Sequence, residues 1–136
     1  INFSLSLNCT VPQQNMEIEG NVPFCPGTYN FLRVTLSNDG DTMTCDQTIL
    51  SSIVNASTNL AYSSSTRYHG SILVRANNTQ ITGCTVKEND YSVYSLVLNS
   101  TRNTTVSNSN LTEGSYCYNS RQLNYQHSYG GGFSFL

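Results

Sequence analysis

The residues whose side chains could take part in catalysis or metal binding are few and scattered along the chain. Asp39, Asp41 and Asp46 form the densest acidic group, and hard carboxylate oxygens at this spacing are compatible with a calcium ion. Glu17 and Glu19 alternate along the chain, which places both on one face of a strand, as a hydrolytic carboxylate pair requires. A polar turn and a solvated strand edge explain the two groups more simply. The sequence therefore predicts no metal site and no catalytic carboxylate pair.

The imidazoles and cations also form no recognisable catalytic group. His69 and His127 are the only histidines, and their positions support no nucleophilic triad. The six basic residues are spread along the chain, and Lys87 and Arg102 are expected to be solvated residues near turns. Six tyrosines crowd the last third, where packing is favoured over sugar stacking. We predict a protein that is not an enzyme and needs no cofactor.

Five cysteines indicate the compartment. None lies in a Cys-x-x-Cys pair or at zinc-finger spacing from a histidine. In a small polar chain they favour an extracellular framework of two disulfides, with one cysteine left over that is either buried or paired between chains. Cys25 with Cys45, or Cys9 with Cys25, would each connect the N-terminal third, and both alternatives stay open. The disulfide candidates are Cys9, Cys25, Cys45, Cys84 and Cys117.

Asn-x-Ser/Thr sequons are more frequent than the composition explains. Together with the cysteines and the scarcity of charge, they predict a secreted chain that carries N-linked glycans at the cell surface or outside the cell. The seven candidate glycosylation sites are Asn2, Asn8, Asn55, Asn77, Asn99, Asn103 and Asn110.

The composition excludes several classes of partner. A chain of 136 residues and 15.0 kDa has room for one domain. Only 10% of residues are charged and the net charge is -2, so no basic surface is expected for nucleic acid. No apolar run is long enough to span a membrane, and the opening residues lack the basic and apolar regions of a signal peptide, as expected of a processed form.

Strand signals dominate the chain. Asn, Ser and Thr make up 51 of the 136 residues, and short β-branched and aromatic runs alternate with clusters rich in Asn, Gly and Asp. No segment keeps a helical spacing of apolar residues over three turns. An all-β fold is predicted.

An internal repeat specifies the kind of all-β fold. Residues 71–89 align with 96–114 at an offset of 25, and apolar residues fall on apolar residues. The same offset carries Leu98 to Leu123, which extends the register towards a third coil. The aligned pairs are Ile72 with Val97, Leu73 with Leu98, Asn78 with Asn103, Thr79 with Thr104, Ile81 with Val106, Cys84 with Ser109 and Val86 with Leu111.

A period near 25 without helix predicts a solenoid whose successive coils stack their strands in parallel. In such a rod Ile81, Val86, Val106 and Leu111 point inward, and Cys84 lies over Ser109 at an inward corner. Small polar residues at the corners are expected to hydrogen-bond the turning backbone.

The two best repeat copies resemble a known family. The pattern Asn-Thr-x-Ile-x-x-Cys-x-Val at 78–86 and its counterpart at 103–111 resemble the right-handed parallel β-helix repeats of the carbohydrate-binding and sugar-hydrolase type, common in archaeal and bacterial surface proteins. The resemblance covers about residues 25–114. It implies a short right-handed parallel β-helix with coils of about 25 residues. A β-sandwich pilin-like domain is the alternative.

The two ends of the chain favour self-assembly. We interpret 1–136 as one β-solenoid domain in which 1–8 and 130–136 are terminal strands for capping or for inter-subunit contact. A short solenoid without polar caps exposes strand edges to another copy. The sequence predicts a secreted glycosylated structural protein that forms a homopolymer, an extracellular filament or coat; the alternative is a carbohydrate-binding or carbohydrate-processing β-helix. The inter-subunit candidates are Ile1, Phe3, Leu5, Leu7, Phe133, Phe135 and Leu136.

Overall fold

The chain forms a short parallel β-solenoid of about four turns. The computed structural model describes residues 8–31, 33–52, 70–87, 94–112, 114–130 and 133–135. These residues contain fourteen strands and no α-helix, and all their strand pairs are parallel. The prediction of an all-β solenoid is confirmed.

The coils stack along three faces. The first face contains β1 (Met16–Ile18), β4 (Val34–Leu36), β6 (Gly70–Val74), β8 (Tyr94–Asn99), β11 (Ser115–Tyr118) and β14 (Phe133–Phe135). The second contains β2 (Asn21–Pro23), the first parts of β5 (Thr42–Ser52) and β7 (Gln80–Val86), β9 (Arg102–Ser107) and β12 (Arg121–Gln126). The third contains β3 (Gly27–Phe31), the second parts of β5 and β7, β10 (Asn110–Leu111) and β13 (Tyr129–Gly130).

Apolar ladders fill the interior of the rod. Ile81, Val86, Val106 and Leu111 are completely buried in one core cluster, as predicted. Each full burial of such a side chain contributes roughly 1.5–3 kcal/mol. The longest ladder runs along the first face through Ile18, Leu36, Val74, Leu98 and Cys117.

The first face is buried on its outer side as well. Leu73, Val97 and Tyr116 alternate with the core ladder, pair with one another in successive strands and are at most 5% exposed. Tyr94 stacks on Tyr116 with ring centroids 5.3 Å apart. Burial on both sides explains why β8 consists of nearly continuous apolar residues instead of alternating polar and apolar ones.

The corner between the second and third faces uses a left-handed residue followed by a small side chain. Gly83 and Asn108 have φ angles of +75° and +51° at equivalent positions. One residue later, the Cys84 N–H donates to Ser109 Oγ at 3.1 Å, and the Ser109 N–H donates to Ser128 Oγ at 3.1 Å. The predicted hydrogen bonding of corner backbone by small polar residues is confirmed, and so is the stacking of Cys84 on Ser109.

Two side-chain ladders connect the coils at the corner between the first and second faces. Asn103 Nδ2 donates to Asn78 Oδ1 at 2.9 Å, and Asn124 Nδ2 donates to Asn103 Oδ1 at 3.2 Å. Inside this corner the buried Thr79 hydroxyl donates to the Thr104 hydroxyl at 3.2 Å. The predicted alignment of the two Asn-Thr pairs is therefore confirmed.

The predicted offset is correct on one face and one residue too long on another. On the second face Ile81 pairs with Val106, as predicted. On the first face Ile72 pairs with Leu96, whereas Val97 was predicted. A shift of one residue moves a side chain to the other side of a sheet, and accordingly Ile72 and Leu96 lie in the core cluster while Val97 lies on the outer side.

The predicted extension of the same offset to Leu123 is wrong, because the next coil is shorter. Leu98 pairs with Cys117, and Leu123 pairs with Thr104. Equivalent positions in this coil are separated by 19 residues, as in the hydrogen bond from the Thr101 N–H to Ser120 Oγ. The longer coils carry their additional residues at one corner, between the third face and the next first face. Residues 53–69 and 88–93, which lie outside the described residues, come at this point of the chain.

Candidate functional site

In the described part of the chain, the last coil has an unpaired strand edge. Within the described residues β12 pairs with β9 alone, β13 with β10 alone and β14 with β11 alone. Leu123 and Tyr125 pack against the core cluster from this end and are partly exposed. Backbone donors and acceptors along an unpaired edge are a template for a further strand.

The opposite end is partly covered at one corner. Thr10 forms an isolated parallel bridge with Phe24; its N–H donates to the Pro23 carbonyl at 2.7 Å, and its carbonyl accepts from the Cys25 N–H at 2.9 Å. The disulfide between Cys9 and Cys25 holds this segment in place. The bridge therefore continues the solenoid by one step beyond β2 and β3.

Most of the predicted inter-subunit residues lie outside the described residues. This applies to Ile1, Phe3, Leu5, Leu7 and Leu136. Phe133 and Phe135 belong to β14, which pairs with β11 in the last described position of the first face. Their role in capping or in inter-subunit contact stays a prediction.

Two disulfides form, and one of them was not among the pairs considered. Cys9 pairs with Cys25, and Cys45 pairs with Cys84. The alternative pair of Cys25 with Cys45 does not form, because the corner places Cys45 beside the equivalent corner of the next coil. Two disulfides fit an extracellular location.

The fifth cysteine is buried. Cys117 is completely buried in the first-face ladder and belongs to the core cluster. Desolvation raises the pKa of its thiol to about 11. The sequence left two alternatives for the fifth cysteine, burial or pairing between chains, and the structure agrees with burial.

Two members of the acidic group, Asp39 and Asp41, belong to the turn before β5, and the third, Asp46, lies within β5. Asp41 is 2% exposed, and its two carboxylate oxygens accept from the N–H groups of Gly20 and Asn38, each at 2.9 Å. Asp39 accepts from the Asn77 N–H at 2.8 Å. No group of three metal-ligating side chains occurs in the described part of the chain. The carboxylates of Asp39 and Asp41, which could have bound calcium, accept from backbone N–H groups instead.

The remaining candidates for acid–base chemistry lie apart. Glu17 and Glu19 are exposed at the first strand, at one end of the rod. His127 is exposed at a corner near the other end, with a φ of +51°. His69 lies outside the described residues. The structure therefore brings His127 to neither glutamate.

Several of the described tyrosines are packed against other residues, whereas Tyr118 and Tyr129 are exposed. Tyr94 and Tyr116 stack on the first face, and burial raises the pKa of Tyr125, which hydrogen-bonds Ser115. Tyr129 is 76% exposed and lies next to Asn110 on the third face.

A basic cleft lies at the corner between the first and second faces. Arg102 and Arg121 pair directly in adjacent strands, and both are exposed. They line a cavity of about 200 Å³ together with Asn77, Ser100, Thr101 and Asn119. We call this cavity the arginine cleft. Reasoning from the sequence missed it, since Arg102 was interpreted as a solvated turn residue; an alignment at the period of the shorter coil would have placed the two arginines together.

Comparison with known proteins identifies no relative of the chain. No protein family model, no curated protein and no solved structure matches the chain. Among the described residues, no helix is long and apolar enough to cross a membrane.

The described sequons differ in their surroundings. Asn8 and Asn110 are exposed, and Asn110 is in a strand whose partner residues are on the outside of the rod. Asn103 is exposed but belongs to the asparagine ladder, and Asn77 Oδ1 accepts from the Arg102 N–H at 2.9 Å. Asn99 is half-buried, while Asn2 and Asn55 lie outside the described residues.

Proposed function

We propose that the protein is a secreted, glycosylated structural subunit that assembles end to end into an extracellular filament or surface coat. The observation that carries the proposal is the open edge of the last coil, where β12 and β13 pair on one side within the described residues. The occupant that we propose for this edge is a second copy of the chain.

The strands at the two ends of the rod would continue one another if two copies were stacked in the same orientation. At the last coil, β14 continues the first face beyond β11, while β12 and β13 are the last described strands of the other faces. At the first coil, Thr10 lies one step beyond Phe24 at the corner between those same faces. A second copy in the same orientation would place its Thr10 segment over β12 and β13, and its β1 over β14. Such a head-to-tail contact repeats without closing.

The interior of the rod supports a mechanical role. Successive coils are joined by parallel strand pairing, by the asparagine and threonine ladders and by the disulfide between Cys45 and Cys84. A further copy would continue the strand pairing across the subunit boundary. Neighbouring subunits would then be joined by the same kind of backbone hydrogen bonds that join neighbouring coils.

Assembly is tested by size-exclusion chromatography and negative-stain microscopy of the purified chain, compared with the variant Leu123→Lys. Leu123 packs on the core from the open end. A lysine there can reach water at an open end but is buried without a partner under another coil. We expect fibres from the parent chain and folded single particles from Leu123→Lys.

The matched control is Gln126→Lys in the same strand. Gln126 is exposed on the outside of the rod, so the added charge is the same but lies away from the contact, and fibres are expected to persist. A parent chain that stays a folded monomer at all concentrations would refute the proposal. So would a Leu123→Lys variant that assembles as readily as Gln126→Lys.

A second candidate function, carbohydrate binding, is favoured by the exposed ring of Tyr129. Aromatic faces bind the apolar faces of sugars, and the ring of Tyr129 is 76% exposed. The test is affinity electrophoresis in gels that contain neutral polysaccharides. Retardation of the parent chain that is lost in Tyr129→Ala would support this function, whereas equal mobility of the two proteins would exclude this residue as a platform.

A further inference from the structure

The arginine cleft contains two like charges at directly paired positions. Arg102 and Arg121 are partners in neighbouring parallel strands, which lie about 4.8 Å apart. Like charges that face each other across a strand pair are destabilising. In a chain with six basic residues in total, two of them are therefore placed where they repel each other.

Nothing in the described part of the chain neutralises this pair. Neither guanidinium has an ion-pair partner among the described residues. Asp39 lies on the same corner two coils below Arg102, and its Oδ1 already accepts from the Asn77 N–H at 2.8 Å.

The other walls of the cleft present hydrogen-bonding groups. Ser100 and Asn119 occupy equivalent left-handed turn positions, with φ angles of +58° and +49°. Thr101 is completely buried, and its Oγ1 has no hydrogen-bond partner among the described residues. A buried hydroxyl without a partner is costly unless a bound molecule or water satisfies it. With about 200 Å³, the cleft is smaller than typical pockets for drug-sized ligands, roughly 300–1,000 Å³.

We propose that the arginine cleft binds a tetrahedral oxyanion, a sulfate or phosphate group, between Arg102 and Arg121. Two planar guanidinium groups on successive coils offer paired N–H donors to oxygens of one anion. Asn119 lines the flank of the cleft, and its side-chain amide adds a neutral donor for a third oxygen. The Ser100 hydroxyl already donates to Asn99 Oδ1 at 3.2 Å. The group belongs either to a free ion or to a sulfated polysaccharide. The proposal does not require end-to-end assembly, because all the residues that line the cleft belong to one chain.

The experiment follows the arginine Nε–H resonances by NMR during titration with sodium sulfate and sodium phosphate, at an ionic strength held constant with chloride. We expect saturable shifts for the resonances of Arg102 and Arg121. The variants Arg102→Gln and Arg121→Gln are each expected to weaken sulfate binding by about tenfold, because each removes a charge-assisted donor pair. Lys87→Gln is the matched control: Lys87 is exposed and outside the cleft.

A parallel titration distinguishes the two sources of the anion. Dextran sulfate that binds more tightly than inorganic sulfate, while unsulfated dextran does not bind, supports the site with a sulfated polysaccharide as its ligand. Equal binding of dextran sulfate and inorganic sulfate supports the site with a free ion as its ligand. Absence of saturable shifts with both ions, or equal losses in Lys87→Gln and the arginine variants, would overturn the proposal. In chloride alone, neither arginine variant is expected to unfold at a lower temperature, because the substitution relieves repulsion.

Discussion

Cys45 and Cys84 are joined across two successive coils at the corner between the second and third faces. Their Cα atoms lie 4.9 Å apart, and 39 residues separate them in the sequence. Both cysteines are buried in the core cluster. The bond therefore closes the loop that contains residues 53–69, the longest stretch outside the described residues.

The longer loop predicts the larger stabilisation. In the chain-entropy model, closing the Cys45–Cys84 loop contributes about 4 kcal/mol, and closing the 16-residue Cys9–Cys25 loop about 3 kcal/mol. We expect the double variant Cys45→Ala/Cys84→Ala to lose more free energy of unfolding than Cys9→Ala/Cys25→Ala, measured by guanidinium denaturation. A larger loss in the Cys9–Cys25 variant would contradict this ranking.

The repeat was visible in the sequence because buried ladders restrict residue type. Ile81 and Val106 fill the same position of the core, and Asn78 and Asn103 the same position of a hydrogen-bonded corner. Coil length was not predictable, because one corner accepts insertions while the three faces keep their register. A single repeat period therefore described one coil and failed on the next.

The arginine cleft could not be predicted at that period. Arg102 and Arg121 become neighbours only because the coil between them is the shorter one. The role of Asp41 in binding backbone could not be predicted from the sequence either, because its carboxylate accepts from the N–H of Gly20, which is 21 residues away and in another coil. The sequence predicted a polar turn at Asp39 and Asp41, but it could not show that the Asp41 carboxylate binds the backbone of another coil.

Substitution of Gly83 is expected to be the most damaging glycine change in the described corners. Its φ is +75°, and a Cβ at this position would lie 2.7 Å from the carbonyl oxygen of Cys45. Gly83→Ala combines a left-handed backbone with a clash against main chain, so we expect a loss of about 3 kcal/mol or more. Differential scanning calorimetry gives the measurement.

Gly40 is the matched control for this change. Its φ is +84°, but no atom lies within 4 Å of the position that a Cβ would occupy. Gly40→Ala should therefore show the backbone cost alone, about 1–2 kcal/mol. If both variants lose the same free energy of unfolding, the close approach of Gly83 to Cys45 is not a determinant of stability.

The asparagine ladder predicts a difference between two sequons. Asn103 donates to Asn78, accepts from Asn124 and has a φ of +61°, whereas Asn110 is exposed in a strand. Asn103→Ala removes two side-chain hydrogen bonds and places alanine in a left-handed conformation, for a loss of about 2 kcal/mol. Asn110→Ala is expected to change stability by less than about 0.5 kcal/mol.

Both variants delete one glycosylation sequon, so the comparison separates the ladder from any effect of a glycan. It is made by urea denaturation of protein from a bacterial host without N-glycosylation and of protein from a glycosylating host. Equal losses for Asn103→Ala and Asn110→Ala in the bacterial protein would show that the ladder contributes nothing to the free energy of unfolding.

The buried thiol of Cys117 predicts a loss of stability in alkali. Burial raises its pKa from 9.0 to about 11, so between these values the unfolded chain releases a proton that the folded chain keeps. The contribution of the protonated thiol to the free energy of unfolding is therefore fully present below pH 9, and it declines as the pH rises through 9 towards 11. Cys117→Val keeps an apolar side chain in the ladder without a titratable group, and we expect its unfolding free energy to fall less steeply over this interval. Equal slopes for the two proteins, measured by denaturation at pH 8, 9, 10 and 11, would assign the decline to other groups.

Iodoacetamide gives an independent measurement of the burial of Cys117, because the native thiol should react far more slowly at pH 8 than the thiol of the unfolded chain.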